Sequence, residues 1–76
     1  MMYDTSVQKA LKEIAEISVF EKILNSSTLS ELDKSIFRLH YLEDKDFAFI
    51  ADELGYSESG IRKRHWKALK KLGKII

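Results

Sequence analysis

The chain has 76 residues with no cysteine, no proline and three glycines, and although a third of its residues are charged the net charge is only +1. That length holds one small domain whose core yields about 3–5 kcal/mol, and the composition excludes both a disulfide framework and a thiolate zinc site. No apolar run approaches the roughly 20 residues that span a bilayer, and the N-terminus lacks the basic-then-apolar pattern of a signal peptide. A cytoplasmic protein with no membrane contact is expected. Abundant Leu, Ile, Lys and Glu without proline favour an all-α fold, a small helical bundle.

The near-neutral total hides an asymmetry. Residues 58–76 hold seven Lys or Arg against one acid, net +6, whereas residues 1–57 hold six against eleven, net −5. Lysine and arginine do favour helix C-termini, but the dipole preference would enrich only a last turn. A basic end that meets an anion and an acidic end that does not is the better reading.

In chain order, Val7, Leu11, Ile14, Ile17, Phe20 and Leu24 recur at steps of three or four, which predicts one amphipathic helix over residues 4–25. Its stripe is expected to cover the core of the later helices. Self-association through residues 4–25, or capture of a partner, is the competing use. Asn25, Ser26, Ser27 and Thr28 are turn and cap formers, so residues 1–27 are set apart as an N-terminal helix and linker. A second helix is expected from about Ser30 to Leu42, capped by Thr28 with Glu31 or by Ser30 with Asp33, with Leu32, Ile36 and Leu39 facing inward and Phe37 as a further candidate. Glu43 to Asp46 form a charged loop whose last member caps the next helix.

Residues 47–72 have the layout of a helix-turn-helix, a short helix, a glycine turn and a basic helix. Phe47, Ile50, Ala51 and Leu54 line one helical face, and Gly55 ends it with a residue that accepts a left-handed backbone. Ser57 caps the next helix, and Ile61 anchors it in the core with Ala68, Leu69 and Leu72 on the same side. Glu58, Ser59, Arg62, Lys63, Trp66 and Lys70 are thereby turned outward. Trp66 would cover a core edge or touch sugar-phosphate, and Phe49, off the buried stripe, is expected to be covered by the N-terminal helix. His40 and His65 have no metal-ligand spacing, so His65 is expected as a hydrogen-bonded core-edge residue. Gly60 should weaken the basic helix by up to about 1 kcal/mol relative to alanine.

From Leu29 to Leu72, without a gap, the chain resembles the fourth conserved region of sigma-70 family transcription initiation factors, the part that binds the promoter −35 element. LSELDKSIFRLHYLED is similar to the leucine-led helix of that region, DFAFIADELGYSESGI to its aromatic, Ile-Ala, Leu-Gly, Ser and β-branched pattern, and KALKKL to its closing residues. The resemblance implies a DNA-binding domain over residues 28–76 with a recognition helix at about 58–73 in the major groove. Glu58, Ser59, Arg62 and Lys63 match groove-facing positions. Arg62 and Lys63 would donate to guanine edges or phosphates, with Lys67, Lys70 and Lys71 tracking the backbone and Ser57 at the helix start. Glu58 repels phosphate yet could accept from a cytosine amine, so base preference should depart from the family's.

Two functions from different classes follow. The first is sequence-specific binding of double-stranded DNA in transcription, by a small sigma-like bacterial or phage regulator that stands alone or is cut out of something longer. The second is an interaction module that holds RNA polymerase or another regulator through its N-terminal half. No carboxylate pair, nucleophile and base, or phosphate-cradling loop supports an enzyme, and no cofactor or metal is expected.

Overall fold

The computed structural model describes residues 5–74, whose regular structure is entirely helical: α1 (Thr5–Glu13), α2 (Ile17–Asn25), α3 (Glu31–Phe37), α4 (Phe47–Leu54) and α5 (Glu58–Leu72). A π-helical turn, Arg38–Leu42, prolongs α3. The single helix predicted over residues 4–25 is therefore two, broken at Ile14–Glu16, and the predicted start at Asp4 lies outside the described residues. No proline or glycine causes the break. At about 100° per residue, Val7, Leu11 and Ile14 share one direction, while Phe20 and Leu24 point roughly a third of a turn away. A straight helix cannot aim both sets at one core; with Glu16 in extended conformation, Leu11, Phe20 and Leu24 all become buried. Ile17, counted in the stripe by its spacing, falls on the first turn after the break and is 64% exposed, beside exposed Val19.

The core has two parts joined through α3 and α5. In one, Leu11, Phe20, Leu24 and Leu29 pack with Phe37 and with Ala68, Leu69 and Leu72 of α5, and Val7, Ile14 and Trp66 close its edge. The other, Ile36, Phe47, Ile50, Ala51 and Ile61, lies between α3, α4 and the first half of α5. Each large side chain so buried contributes about 1.5–3 kcal/mol. α1 crosses the end of α5 so closely that a Cβ on Gly73 would lie 3.2 Å from Val7 Cγ2. α2 is tied to the π-turn by Arg38, whose Nε and Nη2 each donate to the Glu21 carboxylate at 2.7 Å. The Arg38 hydrogen bond holds the Glu21 carboxyl below the usual carboxylate range. Of the two capping arrangements open to α3, the structure forms the one at Ser30, whose Oγ accepts from the Asp33 N–H at 3.2 Å.

His65 sits where the two parts of the core meet and is fully buried. Its ring stacks on Phe37 at 5.2 Å and lies 4.8 Å from Phe47, with the edges of His40 and Trp66 at 5.3 and 4.7 Å. The π-turn makes this possible by bringing two consecutive rings, His40 and Tyr41, onto one imidazole. Tyr41 Oη lies 2.6 Å from His65 Nε2 and is also hydrogen-bonded by Gln8 of α1. His65 Nδ1 has no partner among the described residues. Burial first, and then electrostatic repulsion from His40 and Lys12, pushes the His65 pKa down to about 3, so the imidazole is neutral. Burial likewise holds the Tyr41 hydroxyl above the usual tyrosine range.

The folded protein therefore resists a proton that the unfolded chain accepts near pH 6.5. Unfolding takes up about one proton between that pH and about 3, so stability is greatest above the window and falls as pH falls, by up to about 1.4 kcal/mol per pH unit. Urea denaturation at pH 7, 6 and 5, where most carboxylates stay ionised, should show this decline. It should be largely absent in His65→Leu, and an equal decline in that variant would assign it to other groups.

Candidate nucleic-acid interface

The turn between α4 and α5 is fixed by caps at each side. Asp46 Oδ1 accepts from the Phe49 N–H at 2.8 Å to start α4. At its end Gly55 takes a left-handed backbone, φ 77°, and the Tyr56 N–H donates to the Ala51 carbonyl at 2.9 Å, a Schellman-type closure. Ser57 Oγ then accepts from the Gly60 N–H at 3.1 Å and starts α5. The missing side chain at Gly60 has a local use, since a Cβ there would lie 3.0 Å from Ser57 Oγ and press on the cap. Ala51 is buried between the helices, and Ile61, Ala68, Leu69 and Leu72 hold α5 down.

With that face fixed, Ser57, Glu58, Ser59, Arg62, Lys63, Lys67, Lys70 and Lys71 are all exposed. They do not form one uniform strip. Ser59, Lys63 and Lys70 lie opposite the core, whereas Arg62 turns toward the α4 side and Arg64 and Lys71 toward the α3 side. Arg62 donates from Nε and Nη2 to Glu58 Oε2 at 3.0 and 2.6 Å, and its guanidinium carbon lies 5.1 Å from the centre of the Phe47 ring. On the other side an open groove of about 730 Å³ runs between α3 and α5, lined by Lys63, Arg64, Lys67, Lys70 and Lys71 with Asp33. Five cations around one acid give it a positive field.

Trp66 is half-buried against the N-terminal part of the core, the first of the two placements expected for it. Phe49 is not covered by the N-terminal helices; it is 44% exposed, with the Lys45 ammonium 4.9 Å from its ring centre. The N-terminal segment packs on Phe37 and the far half of α5, away from α4, which leaves Phe49 uncovered. Arg64 was not singled out by the motif, yet its Nη1 lies 3.2 Å from Asp33 Oδ1 and its guanidinium 5.8 Å from the Tyr56 ring centre. It pins α5 to α3, and a pair 31 residues apart has no signal in local spacing. Among the described residues no group of three or more His, Cys, Asp or Glu could hold a metal ion, and no helix is long and apolar enough to cross a membrane.

A left-handed glycine turn, a capped second helix and a basic exposed face define a helix-turn-helix domain of the DNA-binding class. The family model described as Sigma-70, region 4 matches residues 27–74, and the chain belongs to that family, a DNA-binding domain of the transcription machinery. None of the curated proteins and none of the solved structures matches the chain significantly.

Gly55→Ala should cost about 1 kcal/mol from the left-handed backbone alone, because nothing lies within 4 Å of the added Cβ. Ser57→Ala should cost about as much through the lost cap. Urea denaturation measures both, and a neutral Gly55→Ala would contradict the turn geometry.

Proposed function

We propose that this protein binds double-stranded DNA sequence-specifically as a small sigma-like transcription regulator acting in the cytoplasm, with α5 in the major groove. What supports this most is the coincidence of the family match over residues 27–74 with a capped helix-turn-helix whose second helix exposes Ser59, Arg62, Lys63 and Lys70. A major groove admits one α-helix, and side chains on its exposed surface are those that reach base edges. Arg62 and Lys63 read bases, Ser59 and Ser57 lie at the helix start nearest the groove floor, and Lys67, Lys70 and Lys71 follow the phosphates. Trp66, half-buried, offers only its outer edge to a sugar. In this reading residues 28–76 are the DNA-binding unit and residues 1–27 its added support.

A second reading rests on one observation, the exposure of Ile17 and Val19 on the same short helix. Through them the N-terminal half would hold RNA polymerase, another regulator or a second copy of the chain. Deleting residues 1–27 cannot test this, because Leu11, Phe20 and Leu24 would leave the core with them. The surface variant Ile17→Lys with Val19→Lys keeps the core and changes only these two side chains. Polymerase recovered equally by this variant and by the parent removes them from the account, and an unchanged sedimentation coefficient removes them from self-association.

Affinity for duplex DNA should fall steeply as salt rises, since several phosphate contacts release counterions. Lys70→Ala should weaken all sequences alike and flatten the salt dependence by about one counterion, whereas Arg62→Ala or Lys63→Ala should also relax specificity. Failure to bind any duplex at low salt would refute the proposal.

A further inference from the structure

Glu58 is the one acid of the basic segment, and its carboxylate does not simply oppose DNA. A single oxygen, Oε2, accepts from both Nε and Nη2 of Arg62, one helical turn further on. The carbon of the same guanidinium lies over the Phe47 ring, 5.1 Å from its centre, and the ring's other neighbours are His40 at 4.4 Å and His65 at 4.8 Å. Phe47 is itself buried, so the ring beneath Arg62 belongs to the core and does not move with the surface.

A guanidinium is a rigid fork. With Nε and the near hydrogen of Nη2 engaged by Glu58, covalent geometry leaves the far edge, Nη1 and the outer hydrogen of Nη2, directed away from the carboxylate. That far edge is the pair of donors an arginine uses on guanine O6 and N7. The carboxylate also offsets the charge of Arg62, so that this side chain gains little from a phosphate and keeps most of its gain for a base edge. An exposed pair of this kind contributes little to folding, and its use lies in orientation.

Resting on the DNA-binding reading above, we infer that Glu58 is a positioning residue that clamps Arg62 against Phe47, aims its outer donor edge at a guanine and thereby sets specificity at one base pair. Arg62 supplies the contact, and Glu58 acts through it.

The test uses the full chain and a duplex selected from random sequence, with each G·C pair of the bound site replaced in turn, at one fixed salt concentration. Arg62→Ala identifies the base pair it reads, as the position where discrimination drops by about tenfold or more. Glu58→Ala, which frees the guanidinium, should lose most of that discrimination at that position alone and bind other duplexes a few-fold more tightly. Glu58→Gln keeps an oxygen that can accept the same two N–H groups without the charge. It should retain most of the discrimination while tightening binding to every duplex. If Glu58→Ala and Glu58→Gln tighten all duplexes by the same factor with discrimination unchanged, Glu58 only repels phosphate and the inference is overturned. So it is if Arg62→Ala weakens all sequences alike. Absence of duplex binding by the parent chain would instead remove the DNA-binding reading, and this inference with it.

Discussion

The neutral imidazole of His65 is the constraint on which the two halves of this small core depend. Its position on α5 is flanked by Ile61 on the helix-turn-helix side and by Ala68 and Leu69 on the N-terminal side, and its ring touches Phe37, Tyr41 and Phe47 together. An apolar side chain of similar size would fill the space. It could not take up the Tyr41 hydroxyl, which Gln8 of α1 also engages. Gln8 would still donate to the hydroxyl oxygen, but a buried O–H left without an acceptor costs about 1–3 kcal/mol. In a domain with so little net stability, that polar pair matters as much as a core leucine.

From His65 the same ring contacts run outward to the surface that meets DNA in our proposal. Phe47 begins α4, which Asp46 caps, and its ring contacts both histidines and the Arg62 guanidinium. On the opposite flank Arg64 bridges to Asp33, which is also the residue whose N–H is capped by Ser30. The orientation of α5 is thus held by two cations of its own exposed side. Arg62 and Arg64 have structural partners, and Lys63, Lys67 and Lys71 make no ion pair among the described residues. That division agrees with a helix that uses its oriented arginine for reading and its lysines for attraction.

Local chemistry in the sequence was enough for much of this. The stripe of Phe47, Ile50 and Ala51, the Gly55 turn, the Ser57 cap and the inward set Ile61, Ala68, Leu69 and Leu72 follow from periodicities of three and four and from residues with one strong backbone preference. What the spacing could not convey was direction accumulated over length. Val7 to Leu24 keeps steps of three or four throughout, yet the steps drift around the helix, and only the position of the rest of the core decides that the chain must break at Ile14–Glu16. The π-turn at Arg38–Leu42 was hidden for a related reason, since its sequence is equally compatible with a regular helix and only the convergence of His40 and Tyr41 on His65 selects the wider turn. Phe49 and the Arg64 to Asp33 contact depend on which element lies beside which, and no local pattern carries that information.

The family match begins at residue 27, but the core does not. Leu11, Phe20 and Leu24, all outside the match, bury the side of α5 formed by Ala68, Leu69 and Leu72, and Val7 closes over its last turn at Gly73. Without them that half of α5 would have one apolar face against water, and a helix with an unsatisfied face gains little from propensity alone. Lys67, Lys70 and Lys71 project from that half. The N-terminal helices therefore support the basic surface mechanically, from the side that a DNA duplex on the opposite face would leave untouched.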